Sequence, residues 1–259
     1  MINRFKRLFG TMEIEYRHCK DCELEGSAVV IGFPSLGLVS SIATNFLSRE
    51  LKMDLVGGFT SPQFPPYCIL QNGEPMPQIR IFSGARETDP DNPGVAECCR
   101  VSIITSEFIP KPEHNYPIAM AVYDWIVANG VKTVITLDGL PMFSADKYDL
   151  IAAGSTEHAR SLIDEYGIDH FDDGMVRGIS GILLYECAVK GIDVISLMGS
   201  AKSELPDPFG AARLLDPIKR MFPEINVDTE PLYEEAQELN KRISARTAAP
   251  GSDDSILYG

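Results

Sequence analysis

No stretch of the chain approaches the ~20 consecutive apolar residues of a membrane-spanning helix. The basic opening MINRFKRLFG is followed by no apolar core of a secretory signal. A cytoplasmic location is therefore expected. Basic residues are scarce: 23 Lys and Arg stand against 37 Asp and Glu, a net charge of −14. That excludes non-specific nucleic-acid binding, which needs clustered cations, and disfavours anionic membrane surfaces. It favours a partner with basic pockets.

The usual catalytic and cofactor signatures are missing as well. The loop GFPSLG at 32–37 lacks the G-x-G-x-x-G spacing, and no Lys-Ser or Lys-Thr follows Gly37. It suits a tight strand-to-helix turn, with an anion at the helix N-terminus as the alternative. GISG at 178–181 falls short of a nucleophile elbow because Ile182 stands where the last glycine belongs. The four histidines, His18, His114, His158 and His170, offer few bases. Asp169, His170, Asp172 and Asp173 form a solvated loop or a weak divalent-ion site. Asp138-Gly139 sits where α/β enzymes place ligands, and also makes a good turn.

Six cysteines are present, at 19, 22, 68, 98, 99 and 187. In a reducing compartment they are expected as thiols. His18, Cys19 and Cys22 make half of a zinc site or a redox pair, but no second C-x-x-C completes them. No metal and no cofactor are expected.

What is present is alternation. SAVVIGF is a β-branched run of a buried strand, LGLVSSIATNFLSREL carries an apolar stripe of period 3.6, and MDLVGGFTS is a second strand. This strand–helix–strand unit marks a parallel sheet. Between prolines 62, 65, 66, 75 and 77, YCIL and QIRIF are expected to form a rim hairpin around Asn72-Gly73. DPDNPG at 89–94 is a loop and RVSIITS a strand. Further on, PIAMAVYDWIVANG is a helix with Pro117 in its first turn, and VKTVITLDG is a strand. STEHARSLIDEYG is a helix capped by Ser155, SGILLYECAVKG a helix and IDVISLMG a strand. DPFGAARLLDPIKRMF and PLYEEAQELNKRISAR close the pattern as helices. No repeat or linker interrupts 25–245. The expected fold is one α/β domain over 25–246 with a mostly parallel twisted sheet. An N-terminal extension, 1–24, precedes it. A tail, 247–259, is too rich in Ala, Gly, Ser and Asp to form a core.

Three stretches, GFPSLGLVSSIATNFL with GGFTSPQFPP, then GISGILLYECAVKGIDVISLMGSA, then LPDPFGAARLLDPIK, resemble the proteasome assembly chaperone family in its archaeal branch. The resemblance spans roughly 25–240. It implies a three-layer α/β/α body like that of nucleoside phosphorylases, without catalysis. It also implies self-association and binding to the α-subunits of the proteasome core particle. Many members carry a C-terminal hydrophobic–tyrosine–any-residue motif, and Leu257, Tyr258 and Gly259 fill it. Physically, Tyr258 supplies a rigid amphipathic ring, and the carboxylate of Gly259 an anion for a lysine. The rival expectation, from fold alone, is a nucleoside-type phosphorylase or hydrolase.

Overall fold

The computed structural model describes residues 6–9, 12–22, 24–84, 101–141, 150–202, 205–223, 225–234 and 237. The chain begins with β1 (Lys6–Phe9), β2 (Met12–His18), β3 (Ala28–Gly32), α1 (Val39–Glu50) and β4 (Asp54–Thr60). Next come β5 (Ile69–Gln71), β6 (Glu74–Met76), β7 (Ile79–Ser83), β8 (Val101–Ser106), α2 (Pro112–Ala128) and β9 (Thr133–Pro141). It continues through β10 (Leu150–Gly154), α3 (Glu157–Glu165), β11 (Asp169–His170), α4 (Gly178–Val189), β12 (Asp193–Ala201) and α5 (Pro208–Met221).

Ten strands form one sheet in the order β1-β2-β4-β7-β8-β3-β9-β12-β10-β11. Its centre, β8-β3-β9-β12, is parallel throughout. Antiparallel strands extend it: β7, β4, β2 and β1 on one side, β10 on the other, with β11 parallel to β10. The parallel centre is apolar on both faces, as such strands must be. Val30, Ile103, Ile135 and Ile195 pack with α1, α3 and α5. Their neighbours Val29, Ile104, Val134 and Val194 pack with α2 and α4. Alternate residues of one strand therefore feed two cores, giving helix, sheet and helix layers.

The proline-rich stretch differs from its expected pairing. Around Asn72 (φ 52°) and Gly73 (φ 82°) the strand facing Ile69–Gln71 is Glu74–Met76, not QIRIF. Two successive positive φ values are those of the tight hairpin turn, so the strand must return immediately. QIRIF instead supplies β7, buried at every position between β4 and β8. Two boundaries also move. Helix α2 starts at Pro112, leaving Pro117 inside it, because Glu113–Tyr116 continue the helix without an apolar period to announce it. The cap of α3 is Thr156, whose hydroxyl accepts from Ala159 N at 2.9 Å. Ser155 instead ties β10 to β12, donating to Ile192 O and accepting from Val194 N.

Four strands of the main sheet, β1, β2, β10 and β11, add to the expected pattern. Met12–His18, assigned above to an N-terminal extension, pairs with β4 and buries Met12, Ile14 and Tyr16. Leu150–Gly154 pairs with β12. The 89–94 loop lies outside the described residues. So does the final helix, apart from a helical turn at 230–234 and residue 237.

Arg80 is the largest buried charged side chain among the described residues. Arg80 on β7 is buried beneath α1, where its guanidinium donates to Glu107 Oε2 at 2.8 Å and to Asn45 Oδ1 at 3.1 Å. Asn45 closes the ring by donating to Glu107 Oε1. Glu107→Ala leaves that cation in the core without its anion. The expected loss is roughly 2 kcal/mol, the scale of a hydrogen bond to a charged group. Urea denaturation of the variant beside the wild type measures it.

Candidate functional site

In open α/β sheets the C-terminal ends of the parallel strands are where ligands enter. Here protein atoms occupy that space on the face covered by α1 and α5. A Cβ on Gly139 would lie 2.4 Å from the Leu36 carbonyl, and one on Gly32 would lie 2.4 Å from that of Ser40. Ser35 Oγ accepts from Gly139 N at 3.0 Å and bonds Ser40 Oγ. Gly37, at φ +62°, passes so close to Lys202 O that a side chain would collide with it. Asp207 secures the same corner. It donates its N–H to Gly37 O, and its carboxylate accepts from Lys202 N and Gly210 N. The loop GFPSLG is thus a packing device: its glycines allow backbone to meet backbone.

Asp138 lies at this end of β9, on the face covered by α4. Its carboxyl bonds Ser180, while Oδ2 is shut off from solvent and meets no partner. Part of the residue's surface remains open, but Oδ2 does not. Burial, against a small opposing effect of the Ser180 bond, pushes its pKa up to about 7. No charged group contributes to that rise. His170 lies on β11, three strands from β9, and pairs with Asp164 at 2.8 Å, so the two do not form an acid–base pair. His158 is exposed and pairs with Asp193 at 2.7 Å. Ser180 lies buried inside α4 rather than on an elbow.

His18 pairs with Asp21 at 2.9 Å, and Cys19 and Cys22 are exposed. No group of three metal-ligating side chains occurs among the described residues. Cys98 and Cys99 lie outside them, as do Leu257, Tyr258 and Gly259. Among the described residues no helix is long and apolar enough to cross a membrane.

An open, partly apolar surface lies elsewhere. Between the N-terminal halves of α2 and α4 runs a groove of about 450 Å³. Its walls include Pro112, Tyr116, Val176, Ile182, Tyr185 and Glu186. Tyr185 is 70% exposed, and Tyr116, Met175, Val127 and Val189 add exposed apolar surface on or beside the same helices. Neither helix N-terminus has a side-chain cap, and the cap positions hold Lys111 and Arg177. The rim hairpin is a second apolar surface, with Tyr67 and Leu70 exposed.

The chain belongs to the PAC2 family, whose pattern matches residues 29–246. MJ0106 of Methanocaldococcus jannaschii is 27% identical over 221 residues, 85% of each chain. The crystal structure of Pyrococcus furiosus PbaA, described as an archaeal homolog of proteasome-assembly chaperone, superposes with a TM-score of 0.77. It is 26% identical, over 91% of this chain and 92% of that one. P. furiosus PbaB, an archaeal proteasome activator, shares the fold at a TM-score of 0.72 and 19% identity, over 90% and 98% of the two chains.

Proposed function

We propose that this protein is a non-catalytic proteasome assembly chaperone or proteasome-binding factor of the cytoplasm. The observation that carries this reading is the similarity to PbaA over nearly the whole of both chains. The docking element is the tip, Leu257, Tyr258 and Gly259, which enters pockets on the α-subunits of the core particle. A net charge of −14 suits basic pockets. The packed glycine loop supports the non-catalytic reading over a phosphorylase or hydrolase, since a substrate on the α1 face of the strand ends would have to displace backbone.

In this reading the body is 25–246, 1–24 is an extension whose Met12–His18 joins the body's sheet, and 247–259 is the tether. The protein works as a homo-oligomer, using the proline-shaped rim with Tyr67 and Leu70 as contact, because apolar patches at a sheet rim favour association. Binding to isolated α-subunits, to assembly precursors and to mature core particles, measured separately, tests the function. Retention on at least one of the three is expected, and absence from all three overturns the reading. Light scattering is expected to give a mass above the 28.5 kDa monomer at micromolar concentration.

A further inference from the structure

Every strand of the parallel centre ends at the same edge of the sheet. Helix α2 follows β8 and α4 precedes β12, so both helices run against the strands and have their N-termini at that edge. Helix α5 follows β12, so its N-terminus is there too. The chain returns to this edge at the end of the described residues: Tyr233 stacks edge-on against Phe209 in the first turn of α5, centroids 5.1 Å apart. The described chain therefore ends near the edge onto which the α2–α4 groove opens, on the opposite face.

We propose that residues 253–258 of the same chain dock in the α2–α4 groove. Their order, Asp253, Asp254, Ser255, Ile256, Leu257, Tyr258, matches the groove's. Lys111 and Arg177 hold the N-cap positions of the two helices that wall it, next to lining residues Pro112 and Val176, and neither N-terminus has a side-chain cap. Two carboxylates are favoured there by charge and by the helix dipoles. Beyond them Tyr116, Ile182 and Tyr185 offer apolar walls for Ile256, Leu257 and Tyr258. Glu186, the acid on that wall, bonds the Tyr116 hydroxyl at 3.5 Å.

The length suffices. If helix continues to residue 246, as the sequence pattern predicts, it carries the chain from Glu234 about 18 Å at most. Residues 247–256 then span about 33 Å extended. The two helical layers are only about 20 Å apart, two layer spacings of roughly 10 Å. The docked tip is withheld from any outside partner, so binding elsewhere competes with release from the groove. That regulatory consequence rests on the docking role proposed above; the contact itself does not.

The test uses the full chain with no other protein present. p-Benzoylphenylalanine replaces Tyr258, the sample is irradiated, and adducts are located by mass spectrometry. Adducts at 112–116 and 176–186 are expected. Arg177→Glu and Tyr185→Asp, both at exposed positions, should each lower the yield about tenfold, the factor expected for loss of one anchor, with unchanged melting temperature. Mixing isotopically light and heavy copies should give adducts within one copy only. Adducts elsewhere, none at all, adducts between copies, or yields indifferent to both substitutions overturn the proposal. If they do so while Tyr258→Ala still weakens core-particle binding, the docking role survives without the groove.

Discussion

Tyr258→Ala is expected to weaken binding to the proteasome core particle about 30-fold per tail. Truncating a buried aromatic anchor typically costs about 2 kcal/mol, and each 1.4 kcal/mol is a factor of ten in affinity. Several tails on one oligomer bind as a linked set, so the apparent loss there should exceed the single-tail figure. The tip carries none of the described core, whose buried members end at Leu232. The melting temperature should therefore stay where it is. A binding titration with wild type, Tyr258→Ala and a chain stopped at Ser255, together with a thermal melt of each, checks both halves. Wild-type affinity in both variants would remove the tip from the mechanism.

The second large effect is a pH dependence. Asp138 has its pKa raised from 3.8 to about 7 in the folded chain, chiefly by burial. Below pH ~4 the folded and unfolded chains both hold the proton, and the residue costs nothing. Between about 4 and 7 the unfolded chain gives it up while the folded one keeps it, so stability falls as pH rises. Above 7 both are ionised and the penalty is full. Each pH unit of that window is worth about 1.4 kcal/mol, which puts the full penalty on the order of 4 kcal/mol. Asp138→Asn removes the charge while keeping a group that can meet Ser180. The variant should be more stable than wild type at pH 8 by roughly 2–4 kcal/mol and nearly equal to it at pH 4. Urea unfolding at both values measures the difference. A wild type whose margin over the variant grows with pH would show that Asp138 is ionised and satisfied in the fold.

The parallel centre was legible because its physics is local. AVVIG and VISLM are β-branched or apolar at nearly every position, as strands buried on both faces must be. The stripe of Val39, Ala43, Phe46 and Leu47 has helical spacing whatever it packs against. Other elements take their identity from their neighbours. LIAAG has two alanines and a glycine, poor strand formers, and is a strand because β12 offers it an edge. Met12, Ile14 and Tyr16 alternate with Glu13 and Glu15, a strand signal that the adjacent cysteine motif obscured. The α2–α4 groove arises from two helices far apart in sequence, and α4 is apolar enough all round that no outward face stands out. Asp138 stands out in the sequence for its place at a strand end, but its isolation is a property of the packing.

The position of β3 has a consequence for the order of events during synthesis on the ribosome. This early strand, Ala28–Gly32, lies between β8 and β9, and β9 in turn needs β12, which ends at Ala201. At 5–20 residues per second, roughly 10–30 s pass between the emergence of the first of these strands and the last. Until β8 and β9 emerge the most apolar strand of the sheet has no permanent neighbours, and for the rest of the interval β9 waits for β12, while the antiparallel β2, β4 and β7 can already pair with one another. Such a nascent chain presents sticky strand edges for longer than any other stage of its life. A protein proposed to shepherd the assembly of others would thus need protection of its own until its twelfth strand is made.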